Sequence, residues 1–100
     1  MASDQDPVKV APDVYKVLLE NDRVRALEIR MKPGAKSPMH AHPDYFLYIL
    51  SPAKVKFTAP DGTTEEPEFE PGQTAWRDAE SHAVENLGTG EAHVLAIELK

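Results

Sequence analysis

Nine prolines and five glycines are spread along the 100 residues, and their spacing limits what the chain can build. Proline lacks a backbone donor and glycine is entropically costly inside an element, so both punctuate rather than extend secondary structure. The segments between them are mostly too short for a helix. Val14 to Leu19 is apolar and β-branched and stops at Asn21-Asp22. In Val24 to Met31, Leu27, Ile29 and Met31 alternate with Glu28 and Arg30, the period of a half-buried strand. Val55 and Phe57 alternate with lysines, Pro60-Asp61-Gly62 is a hairpin signal, and Thr63 to Phe69 returns. After Pro71-Gly72 come Thr74 to Arg77, Ser81 to Leu87 and, beyond Gly88-Thr89-Gly90, Ala92 to Leu99. Strands with turns about every eight to twelve residues predict an all-β sandwich or barrel. A helix over Val14 to Met31 is the competing reading, because Leu18, Leu19 and Glu20 tolerate one.

Residues 14–100 are expected to form a single domain. Residues 1–13, with Pro7, Pro12 and the aspartates 4, 6 and 13, are expected to form a flexible N-terminal arm. Without cysteine there is no disulfide framework, thiolate metal site or cysteine nucleophile. A net charge of −6 argues against binding to nucleic acid or an anionic membrane. The longest apolar run, Tyr45 to Leu50, is strand-sized, far below the roughly eighteen residues of a membrane span. With no signal-peptide pattern at Met1 to Pro7, the expected location is cytoplasmic. Tyr45 to Leu50 is apolar on both faces, whereas a small barrel has one inside. The second face, joined by Val14 to Leu19, predicts a homodimer.

Four histidines stand at 40, 42, 82 and 93. His40 and His42 share a face if the chain is extended, since side chains in a strand repeat every second residue. A third imidazole, His82, from another strand would complete a nitrogen-rich metal site. His93 alternates with Leu95, Ile97 and Leu99 and is expected to be a core or interface histidine. Tyr45, Tyr48 and Trp76 are candidate pocket aromatics. Asp44 is expected to cap a turn, Glu80 to be a solvated loop carboxylate, and Asn86 to satisfy backbone groups at a strand end. The Glu65, Glu66, Glu68 and Glu70 cluster reads as a charged edge.

Gly34, five residues, His40-Ala41-His42 resembles the start of the first cupin motif, and Pro71-Gly72 with His82-Ala83-Val84-Glu85-Asn86 resembles the second. The chain is similar in this order and spacing, over about residues 14 to 99, to small single-domain bacterial cupins. The resemblance implies a double-stranded β-helix, or jelly-roll barrel, with His40, His42 and His82 converging at its mouth. It departs from the motif where a Glu ligand belongs: Phe46 and Leu47 stand there, and strand parity favours Phe46 as the inward residue. The implied cofactor is a divalent ion that prefers nitrogen ligands (Zn, Ni, Cu or Fe), held weakly and with positions open to a small molecule. The function implied is a metal-dependent enzyme of dioxygenase, isomerase or lyase type, or a non-catalytic dimeric binding module. Metal-free acid–base chemistry on a phosphorylated sugar is the weakest of the three, since Lys32, Lys36, Lys54, Lys56 and Arg77 alone could form its basic pocket.

Overall fold

The computed structural model describes residues 5–100. Two antiparallel sheets face one another. One has the order β1-β2-β10-β4-β8, built from Tyr15–Glu20, Val24–Met31, Ala92–Leu99, Tyr45–Ile49 and Thr74–Arg77. The other has the order β3-β9-β5-β6, from Lys36–His42, Glu80–Asn86, Ala53–Thr58 and Thr64–Glu65, with β7, Glu68–Phe69, also paired to β5. Val14 to Met31 thus forms two strands rather than a helix, and the fold is the double-stranded β-helix. The return strand expected over Thr63 to Phe69 is split into β6 and β7. Pro67 lies between them and has no N–H for the ladder, so its carbonyl accepts from Val55 instead.

The core lies between the sheets. Leu27, Leu47, Ile49, Val94 and Ala96 come from the first sheet, and Val55, Phe57 and Val84 from the second. Every inward residue of β10 is even-numbered, so Leu95, Ile97 and Leu99 face outward with His93. Turns at Gly34 (φ +79°) and Gly62 (φ +89°) use backbone conformations that a side chain disfavours.

The arm expected over residues 1–13 lies outside the described residues for its first four. From Gln5 onward the chain is docked. Asp6 caps a four-residue helix, α1 (Pro7–Val10), by accepting from Val8 N–H at 2.9 Å, and Pro7 suits its first turn. Gln5 O accepts from Ala41 N–H at 2.7 Å, and Pro7 and Ala11 are buried. Among the described residues, no helix is long and apolar enough to cross a membrane.

Candidate metal centre

His40 and His42 face inward because of an irregularity in β3. Between Ser37 and His40 the register against β9 shifts: Ser37 lies opposite Val84 and His40 opposite His82, so β3 carries one extra residue. Pro38, which cannot donate to the ladder, sits inside this bulge. The bulge changes strand parity, so Ser37, His40 and His42 are all buried. Directly opposed residues of an antiparallel pair share a face, so His82 joins them. The ring centroids of His40 and His82 are 4.8 Å apart, and those of His40 and His42 4.9 Å apart. One ring nitrogen from each of the three lies within 4.8 Å of the others. The structure therefore brings all three expected ligands together.

The hydrogen bonds around each ring decide which nitrogen is free. Pro38 O accepts from His40 Nδ1 at 2.7 Å, which leaves Nε2 to accept from the Tyr15 hydroxyl at 3.0 Å. Glu98 Oε2 accepts from His42 Nδ1 at 2.6 Å, leaving His42 Nε2 as the donor atom for a cation. His82 Nδ1 is buried with no hydrogen-bond partner, and Glu80 Oε2 stands 3.6 Å from it, beyond bonding distance. Burial, aided by the neighbouring histidines, lowers His82 to a pKa of about 3. Burial likewise lowers His40 to about 4, against the bond to Pro38. Both rings are neutral at pH 7, the state a metal requires.

A divalent ion fits these residues. The donors are imidazoles, one carries an orphaned buried nitrogen, and the other two have the Glu98 carboxylate and the Pro38 carbonyl behind them. Metal-bound histidines ordinarily give their second nitrogen to a carboxylate or a carbonyl, which fixes the tautomer and raises ligand basicity. Glu98 is 2 % exposed and is held by Arg25, whose Nε donates to it at 2.8 Å. Arg25 in turn pairs with Asp6 at 3.0 Å, tying the docked N-terminal segment to His42. Burial would raise the Asp6 carboxyl, but Arg25 and the Val8 amide outweigh it and hold it below the usual value.

Several expectations are corrected here. Phe46 is not inward. Tyr45, Leu47 and Ile49 are the buried residues of β4, and the Pro43-Asp44 turn between β3 and β4 breaks the parity carried from His42. Leu47 is thus the inward residue of the pair. Glu80 is no solvated loop residue: it opens β9, accepts from Tyr45 OH at 2.7 Å and is gripped by Arg77. Burial pulls its pKa upward, yet Arg77 and Tyr45 leave it at about 2. Tyr45 stacks on His42 with ring centroids 4.3 Å apart, whereas Tyr48 and Trp76 lie on the outer face of their sheet. His93 is also on that outer face and not in the core, with Glu28 as partner at 2.8 Å. Asp44 accepts from Ala79 N–H, and Asn86 donates to Met31 O and Gly90 O, as expected.

Tyr15, Arg25 and Glu98 were not anticipated at the site, and Arg77 only as part of a phosphate pocket. Glu98 had a signal in the sequence, since it shares parity with Ala92, Val94 and Ala96. Tyr15 and Arg25 had none, because their places depend on which strands pair.

No family model and no curated protein matches the sequence. Solved structures do match. A cupin domain from Bordetella pertussis Tohama I is 26% identical with a TM-score of 0.80, over 87% of this chain and 92% of that one. A double-stranded β-helix protein from Klebsiella pneumoniae is 17% identical with a TM-score of 0.69, over 99% and 81%. Bacillus subtilis oxalate decarboxylase, described with Mn(II) centres, is 26% identical with a TM-score of 0.58, over 76% of this chain and 21% of that one. With its two facing sheets and inward histidines, this chain is a small member of the cupin superfamily.

Proposed function

We propose that the protein binds one divalent cation through His40, His42 and His82 and holds a small molecule beside it as a metal-dependent enzyme. The observation that carries this reading is the convergence of three buried ring nitrogens from β3 and β9. Such an ion supplies Lewis acidity and keeps positions for water or a ligand, because three protein ligands do not fill its coordination sphere. The chain's own residues orient the donors. Glu98 holds the His42 tautomer, Pro38 O holds His40, and Tyr45 and Phe57 stack on His42 and His82 respectively. Zn, Ni, Cu and Fe are favoured over Mn because the donors are nitrogens. Calorimetric titration with Zn and Mn tests this. Wild type is expected to bind Zn more tightly than Mn, and His82→Ala to bind neither. Absence of Zn binding at millimolar concentration, or undiminished binding by His82→Ala, sinks the reading.

A second reading, a non-catalytic dimeric binding module, is favoured by the Tyr15–His40 bond, which satisfies a ligating nitrogen without any cation. A substrate panel offered to metal-loaded protein separates the two. In either case we propose a homodimer. Leu19, Ala26, Ile97, Phe46 and Trp76 are successive cross-strand neighbours on the outer face of the first sheet, spanning all five strands. Leu19 is 52 % exposed and Trp76 53 %. Exposed apolar residues ordinarily scatter. A continuous apolar row, exposed at both ends and half-buried between, suits the same row on a second copy across a two-fold axis.

A further inference from the structure

Beside the histidines, between the two sheets, lies a cavity of about 50 Å³. His42 and His82 border it, and its walls include Met31, Ile49, Ala53 and Val84. The polar groups nearest it are committed to one another: Tyr45 to Glu80, Tyr15 to His40, and His42 Nδ1 to Glu98. Among the described residues, His82 Nδ1 is the one buried side-chain polar atom without a partner. A ligand body seated here meets almost no hydrogen-bonding group. Each hydroxyl buried unpaired weakens binding about five- to a hundredfold. Size adds a second restriction, since a cavity of about 150 Å³ is what accommodates benzene.

We infer that the ligand of this site is a short aliphatic molecule, with a tail of about two to four carbons in the cavity and a single oxygen-bearing head at the histidines. Sugars, nucleotides and polyhydroxylated acids are disfavoured by the walls. The placing of the head rests on the metal reading above; the placing of the tail rests on the cavity alone.

The test uses Co(II)-loaded protein titrated with butanoate, 4-hydroxybutanoate and octanoate, which share a carboxylate head and differ in the body. Cobalt d–d absorption reports the head, and the methyl carbon shifts of Met31, Ile49 and Val84 report the tail. Butanoate is expected to move both and to bind at least about tenfold more tightly than either of the others. Ala53→Val, which narrows the cavity, is expected to weaken butanoate severalfold; Met31→Phe replaces it should that variant fail to fold. The inference is overturned if 4-hydroxybutanoate or octanoate matches butanoate, or if butanoate moves the cobalt band and leaves the methyls still. Should cobalt not bind, the metal reading fails, and the tail is tested separately on metal-free protein under xenon. Shifts of the same methyls then support the apolar site, and their absence overturns it.

Discussion

Glu98 and Tyr15 act on the same triad in opposite directions. Glu98 holds the proton of His42 on Nδ1 and so presents Nε2; Glu98→Gln weakens that hold. Loss of such a partner typically costs about ten- to a hundredfold in metal affinity, and calorimetry with Zn is expected to show a fall in that range. The Tyr15 hydroxyl instead occupies the one free nitrogen of His40, so a cation must displace it. Tyr15→Phe removes the competing bond and is expected to tighten Zn binding severalfold in the same titration. Acid should act on the metal-free fold through the buried rings. His40 and His82 have folded pKa values of about 4 and 3, below the usual 6.5, so between pH 6.5 and those values the unfolded chain binds protons that the native state refuses. Stability is therefore complete above about pH 6.5 and is lost as pH falls, with Glu80 (about 2) extending the loss below pH 4.5 in the same sense. Thermal melts from pH 7 to 4 in chelator are expected to show a steadily falling Tm.

At the scale of elements, the β3 bulge absorbs one residue, so that Ser37 and His40, three positions apart, still share the inward face. Deleting Met39 removes that extra residue and puts His40 two positions after Ser37 in a regular strand, with Ser37, His40 and His42 on one face. The expected result is a barrel with unchanged far-UV circular dichroism that still binds Zn in calorimetric titration. The missing carboxylate is likewise a matter of element geometry. Leu47, inward on β4 and bordering the cavity with His42 and His82, is the position from which a Glu can reach the ion. Leu47→Glu is expected to raise Mn affinity in calorimetric titration, while Phe46→Glu, on the outer face, leaves it unchanged. The places of the strands along the chain were legible because turns and alternation are local signals. The bulge was not, since Pro38 and Met39 read equally well as regular extended chain until the register against β9 is known.

For the molecule as a whole, the outer face of the first sheet decides assembly. Light scattering at micromolar concentration is expected to give a dimer, and Leu19→Lys with Trp76→Lys a monomer that keeps Zn binding. The Tyr45 to Leu50 segment carried this expectation in its sequence: Tyr45, Leu47 and Ile49 fill the core, while Phe46 and Tyr48 are left on the far side.

What the sequence determined by itself is whatever depends on neighbours along the chain. Proline and glycine spacing set an all-β architecture, period-two alternation set the strands, and the motif spacing singled out His40, His42 and His82. Only the tertiary structure decided which residues stand behind those histidines. Glu98 is 56 residues from His42 and Tyr15 is 25 from His40, yet both touch the rings. Their places follow from the pairing of β10 with β2 and β4 and of β1 with β2. Such contacts are chosen by burial of the core and closure of the barrel, and a buried imidazole accepts any partner of suitable charge that this closure delivers.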